Sequence, residues 1–434
     1  MESGAILSNS QKSTFYGWQI VNVLFWLNAI LMGTVFVFGV FFKSLEDQFD
    51  VSRSTTSSIV SAYMVVMAGV AVLGGWALDR FGPKRLVLIM GLLTGLGLLI
   101  TSQVHAVWQF FITYSLLLAL GSGATYVVSM PLIIRWFEKK RGLASGITMA
   151  GVGTGQVILA PVATFFIVNF NWRVGFIILG LLPLLVIVPL SFVLKRDPGE
   201  IGLLPDGRQS ESLLERDKPQ APVPAAFSAV SIFKNRSFWF ITILNFLMGI
   251  CVMMLSTHIA AHTTDIGFSA EQGAAVISII GITSIAGNFL GGVVTDRAGA
   301  KVTAIISALG MALAMIWLTV INHLWQIDLF AVLYGLANGG IVPSAGTLYG
   351  QTFDATHIGK IMGMIYCSWA LGAAIGPFIG GVLFDLRGNY ILAFWVAAIA
   401  MTIAAVMAAL IGRRTTQLPA AVKGKSINNG THTQ

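Results

Sequence analysis

Residues 74–85 read Gly-Gly-Trp-Ala-Leu-Asp-Arg-Phe-Gly-Pro-Lys-Arg, and residues 291–301 read Gly-Gly-Val-Val-Thr-Asp-Arg-Ala-Gly-Ala-Lys. The pairs Gly74/Gly291, Asp79/Asp296, Arg80/Arg297, Gly82/Gly299 and Lys84/Lys301 are each 217 residues apart. The same offset relates Gly146 in RGLASGI to Gly363 in IGKIMGM, and Asn171-Trp172 precedes Asn389-Tyr390 by 218. Coincident offsets at three places along the chain indicate an internal duplication. Each copy of the charged stretch is a short loop with a long apolar run on either side.

Working outward from those loops, apolar runs of about 20 residues, enough to span a bilayer as a helix, recur along almost the whole chain. Of 434 residues 56% are hydrophobic and 10% charged, with a mean hydropathy of +0.82. Soluble domains carry about 25% charged residues, so a soluble fold is excluded. The expected class is an all-α membrane protein of twelve transmembrane helices in two pseudo-symmetric six-helix bundles. The runs place spans near 18–41, 56–78, 86–104, 107–132, 143–167, 173–194, 238–260, 273–295, 302–320, 326–349, 360–384 and 391–412. The Pro- and Gly-containing segment 195–235 reads as a cytoplasmic linker between an N-terminal bundle (1–194) and a C-terminal bundle (236–413), with a short helix expected at 209–217. Residues 414–434 read as a disordered tail.

An even number of spans puts both termini on one side. Counting loops alternately, 22 of the 26 Lys and Arg fall on that side and only Lys43, Arg53, Arg173 and Arg387 on the other. The positive-inside rule makes the basic side cytoplasmic, so the net charge of +8 reports topology and not nucleic-acid binding. The polar N-terminus shows no cleavable signal pattern, and the expected location is the cell inner (plasma) membrane. Cys251 and Cys367 both sit in apolar runs and read as reduced packing residues; neither a disulfide framework nor a metal site is expected.

The stretch Gly75-x-x-x-Asp79-Arg80-x-Gly82-x-Lys84-Arg85, with its weaker copy at Gly292, resembles the signature loop of the major facilitator superfamily. That resemblance, together with the spans and linker, covers nearly the entire chain. It implies the major facilitator fold. A carboxylate at a helix end can pair with a neighbouring Arg or cap a helix N-terminus, so Asp79, Arg80, Asp296 and Arg297 are expected to form a cytoplasmic gate. The plainer reading is that the basic residues only set orientation.

Tyr16-Gly17-Trp18 at the first span and Arg135-Trp136-Phe137-x-Lys139-Lys140-Arg141-Gly142-Leu143-Ala144-x-Gly146 between the fourth and fifth look like the monocarboxylate transporter family and the related bacterial oxalate/formate exchangers. The resemblance implies buried cations that hold carboxylate: an arginine in the eighth span, a lysine in the first and a lysine in the eleventh. Counted from the motifs, those positions fall on Asn288, Phe36 and near Trp369. No acidic or basic residue falls in mid-span anywhere, so the expected site has no fixed charge. Intramembrane charges are usually functional, and their absence is therefore informative.

Buried amides must be partnered or face a cavity. In this fold the first, eighth and eleventh spans line the cavity, which selects Asn28, Asn288 and Trp369, with Tyr126, as substrate-binding candidates. Gln156 and Asn338 suit either packing or the cavity. His258, in the outer part of the seventh span, is the candidate for proton coupling because a neutral-range pKa suits proton transfer; the plainer reading is an interfacial His bonded to a backbone carbonyl. The glycines and prolines around Pro161 and Pro377 read equally as packing or hinge positions.

The expected function is secondary transport of a small organic solute by alternating access. The subfamily resemblance favours a monocarboxylate, with protons as a candidate co-substrate. The missing cations and the aromatic residues favour an uncharged or zwitterionic aromatic nutrient, such as a flavin-like vitamin or aromatic metabolite. A non-transporting sensor is the remote alternative, and neither the linker nor the tail carries an output domain. No nucleophile and base pair, metal cluster or phosphate loop suggests an enzyme, and no cofactor is expected. The expected partners are the solute, protons and the lipid bilayer, without nucleic acid, and the functional unit is expected to be a monomer.

Overall fold

A computed structural model describes residues 15–206, 233–353 and 358–412. Most of the central linker, including the helix expected at 209–217, lies outside the described residues, as does the tail 414–434. Among the described residues eleven unbroken helices are long and apolar enough to cross a membrane. The longest, Arg53–Thr101, has 49 residues, twice what one span needs, and breaks at Gly82. It therefore supplies two spans, α2 (53–81) and α3 (83–101). The others are α1 (Gly17–Phe49), α4 (Val107–Trp136), α5 (Gly142–Asn169), α6 (Trp172–Ser191), α7 (Arg236–Asp265), α8 (Ala270–Ala298), α9 (Ala300–Leu318), α10 (Leu324–Thr352), α11 (Ile358–Arg387) and α12 (Ile391–Leu410). Twelve spans result, with the expected boundaries extended mainly at α1, which runs on to Phe49 before Asp50 ends it in a left-handed conformation (φ 49°).

The duplication is visible in backbone geometry. Gly82 (φ 76°) and Gly299 (φ 93°) turn the chain between α2 and α3 and between α8 and α9. A positive φ at both copies explains glycine at this motif position, since a Cβ there is strained. Gly155 and Gly372, again 217 apart, mark a second equivalent contact. A Cβ on Gly155 would strike the carbonyl of Ala29, and one on Gly372 that of Phe246, so α5 meets α1 and α11 meets α7 backbone to backbone. Close approach through small residues is how membrane helices gain packing energy where lipid offers no hydrophobic gain. Large apolar side chains such as Phe289 (76% exposed) and Leu185 (69%) cover the periphery, which suits a lipid-facing surface.

The first half comprises α1–α6 and the second α7–α12. They meet chiefly through α11 against α2, α5 against α8 and α1 against α7. The start of the linker belongs to the first half. Asp206 accepts hydrogen bonds from the backbone N–H groups of Glu138, Lys139 (3.2 Å) and Lys140 (2.9 Å), just ahead of α5, and its own N–H donates to Trp136 O at 3.2 Å.

Candidate functional site

A cavity of about 330 Å³ lies between the halves. It is built from the 149–156 stretch of α5, 245–256 of α7, 280–288 of α8, 334–349 of α10 and 362–369 of α11, with Phe36 and Tyr126 from α1 and α4. Helix directions place it from mid-span toward the end of the molecule that carries Asp79. Among the described residues, no Asp, Glu, Lys, Arg or His lines it. The three positions at which the family resemblance implies cations, Phe36, Asn288 and Trp369, all line this cavity and all are uncharged.

Its polar groups are amides and hydroxyls. Asn288 Nδ2 donates to Ser284 O (3.0 Å) within its own helix. Asn245 Nδ2 donates to Ile241 O (2.8 Å) and its Oδ1 accepts from the Tyr349 hydroxyl (3.0 Å), tying α7 to α10. Gln156 and Asn338, which suited either role, both line the cavity. Along one side runs an aromatic ladder. Tyr126 stacks on Tyr366 with centroids 5.5 Å apart and planes 6° apart, and Tyr366 stacks on Trp369 at 5.6 Å and 21°.

Three of the four expected substrate-site residues, Tyr126, Asn288 and Trp369, therefore come together. Asn28 does not join them. It is 2% exposed, and its Nδ2 donates to Leu24 O (2.8 Å) and to Ser129 Oγ (3.0 Å), so it fastens α1 to α4. It also opens a π-helical turn, Asn28–Met32, and Phe36 is the residue of α1 that lines the cavity.

His258 is fully buried and is not among the residues that line the cavity, although Ser256 on the same helix is. Its Nε2 lies 2.8 Å from the Pro377 carbonyl, which can only accept, so Nε2 carries the proton and Nδ1 accepts from the Tyr390 hydroxyl at 3.0 Å. Both ring nitrogens are thus engaged, consistent with the plainer expectation of a His bonded to a backbone carbonyl.

Tyr390 leads to a cluster that the sequence did not reveal. Arg53, only 5% exposed, opens α2. Its Nε donates to both Glu46 oxygens at 3.1 Å, its Nη2 to Asp265 Oδ1 at 2.9 Å, and its Nη1 to Asp265 Oδ2 and to the Tyr390 hydroxyl, the latter at 2.8 Å. Its guanidinium lies 3.7 Å from the Phe384 ring centroid. Asp385 accepts from the backbone N–H groups of Arg53 and Ser54, both at 3.0 Å, capping α2 from the opposite half. Lys43 stands 3.6 Å from Asp265. One arginine thereby joins α1 and α2 to α7, α11 and the start of α12. The described cavity lining is uncharged, and the buried charge lies instead at the helix ends of this part of the molecule.

At the other end the signature loops are open. Asp79 is 70% exposed; it lies 3.3 Å from Arg135 and 4.0 Å from Arg196, both in its own half. Arg80 stacks against Trp76 and Phe81. Asp296 and Arg297 are exposed. Hydrogen bonds and ion pairs of Arg53, Ser54, Lys43 and Ser278 join the halves from mid-span to the far end.

The profile of the Major Facilitator Superfamily matches residues 24–287 and 263–429. Curated relatives include monocarboxylate transporter 13 of Bos taurus, 24% identical over 392 residues (88% of this chain, 86% of that protein). Monocarboxylate transporter 12 of Homo sapiens is 25% identical over 433 residues (95% and 84%). Among solved structures, the E. coli xylose transporter in an inward-open conformation aligns with a TM-score of 0.72 at 16% identity, covering 93% of this chain and 98% of that one. A D-xylose–proton symporter aligns at 0.71 and 17% identity, covering 91% and 97%. With the fold, the duplicated loop and the uncharged central cavity in place, the chain belongs to the Major Facilitator Superfamily, as a multi-pass membrane transporter similar to the monocarboxylate transporters and not an enzyme.

Proposed function

We propose that this chain moves a small organic solute across the cell inner membrane by alternating access, as a monomer, with the Asp79 end in the cytoplasm. The observation that carries the reading is the asymmetry of the two ends. A buried ionic clamp closes the halves around Arg53, while the cavity extends toward the opposite end, where Asp79, Asp296 and Arg297 are exposed. This is an arrangement closed to the outside. The distribution of basic residues supports the orientation.

The solute is a carboxylic acid on the evidence of what the similar transporters are named for. Because the described lining has no cation, the acid is held by Asn288, Gln156, Asn338 and the tyrosines and travels with its charge compensated. An uncharged or zwitterionic aromatic solute is a second reading, favoured by the ladder of Tyr126, Tyr366 and Trp369.

Asp79 and Asp296 latch the halves in the opposite conformation, after the Arg53 clamp has opened. His258 couples a proton to that opening. Protonated Nδ1 can no longer accept from Tyr390, so the hydroxyl must reorient beside Arg53, and the clamp loosens. The groups facing this change are Glu46, Arg53, Asp265, Asp385, His262 and Tyr390.

The test is uptake of radiolabelled acids into proteoliposomes with and without an imposed proton gradient. Gradient-stimulated uptake is expected, with His258→Gln abolishing its pH dependence. Unchanged pH dependence in that variant removes His258 from the mechanism, and no uptake of any solute tested removes the transport reading.

A further inference from the structure

Of the ring pairs that cross between the halves among the described residues, Phe42 with His258 sits beside the clamp and Tyr126 with Tyr366 sits at the cavity. We infer that the cargo is a planar aromatic solute of one or two fused rings, bound without net charge, whose ring stacks on Tyr126, Tyr366 and Trp369. The inference rests on the transport reading and names its substrate class.

Four observations carry it. The rings are close to coplanar in orientation, 6° and 21° between successive planes, and form a run of parallel π faces along one cavity wall. Such faces reward a flat, polarisable ligand over an aliphatic one of equal size. The cavity volume of about 330 Å³ lies at the small end of the roughly 300–1,000 Å³ typical of ligand sites, which limits the cargo to one or two fused rings.

The charge pattern supplies the third. Among the described residues the lining holds no Lys, Arg or His, and an anion among them would be desolvated without compensation, so the bound form is a zwitterion or an acid that keeps its proton.

The fourth concerns hydrogen bonding. Tyr126, Tyr366 and Gln156 all line the cavity, and polar substituents on the edge of an aromatic cargo can bond to their hydroxyls and amide. Because Tyr126 belongs to the first half and Tyr366 to the second, a ring stacked here touches both, so its binding energy acts directly on their separation.

The experiment measures binding to the purified full-length protein by thermal shift and equilibrium dialysis, using matched pairs: L-phenylalanine against L-cyclohexylalanine, and phenylacetate against cyclohexylacetate, with pyruvate as the aliphatic reference. In at least one pair the aromatic member should bind about tenfold more tightly than its saturated twin. Tyr366→Ala should erase that preference, and Tyr366→Phe, which keeps the ring, should preserve it. Equal binding of the twins, tighter binding of pyruvate than of any aromatic, no aromatic binding, or a preference unchanged in Tyr366→Ala would each overturn the inference. If Tyr366→Ala does not fold, the wild-type twin comparison and Trp369→Leu decide the matter. Aromatic binding without uptake into proteoliposomes would sink the transport reading, and with it the cargo, while leaving an aromatic-binding site at Tyr126, Tyr366 and Trp369.

Discussion

The two ends of the molecule use charge in opposite ways. At the Arg53 end a guanidinium that is 5% exposed is held by two carboxylates, a tyrosine hydroxyl and an aromatic face drawn from both halves. At the Asp79 end a carboxylate that is 70% exposed meets arginines of its own half only. Surface pairs of the second kind contribute about 0–1 kcal/mol. A buried pair is no stronger evidence for overall stability, because desolvation offsets its attraction, yet removing one partner costs about 3–5 kcal/mol. In the proposed alternating-access cycle the buried cluster is the seal that sets which arrangement of the halves is occupied, and the exposed one is a latch that exchanges partners cheaply.

Breaking the seal should give the largest effect. Arg53→Ala leaves Asp265 and Glu46 without their partner, at about 3–5 kcal/mol. Net uptake should fall by more than tenfold, and a cysteine at Ser256, which lines the cavity, should become reactive to a membrane-impermeant thiol reagent from outside. Unchanged labelling would show that the cluster does not seal the cavity. Next comes the cavity between the ends. Asn288→Ala should lower uptake about tenfold, equivalent to about 1.4 kcal/mol, with unchanged membrane expression; normal uptake would remove Asn288 from the site. The smallest effect is expected from Asp79→Asn, which should slow turnover a few-fold and alike for every solute, as befits an interaction worth about 1 kcal/mol or less. A change in solute preference alone would contradict a gating role.

The fold was legible because its signals are local and repeated. Apolar runs count the spans, and Gly82 and Gly299 occupy the same strained backbone position in both copies. Asn288, Tyr126 and Trp369 were legible because their neighbours in sequence set their helix and depth. Asn28 was not, because its amide bonds Ser129, 101 residues away, and no spacing rule announces that contact. Arg53 was missed for a different reason. Its partners Asp265 and Asp385 lie 212 and 332 residues away, and in the sequence it is one of four outward cations, indistinguishable from Lys43 or Arg387. The usable signal was chemical: an arginine on the side that the positive-inside rule leaves poor in cations, facing Glu46, Asp265 and Asp385 at other helix ends.

Asp206 fixes where the polypeptide can be divided. Its carboxylate covers three backbone amides ahead of α5, so the first dozen residues after α6 and its short extension are structurally the property of the first bundle. A gene split after Asp206 delivers a fragment with its own clasp intact, whereas one split at Lys195 exposes those amides and separates the clasp from the loop it closes. Complementation by co-expressed fragments, a circular permutation or an inserted reporter would each find its natural seam on the far side of this residue.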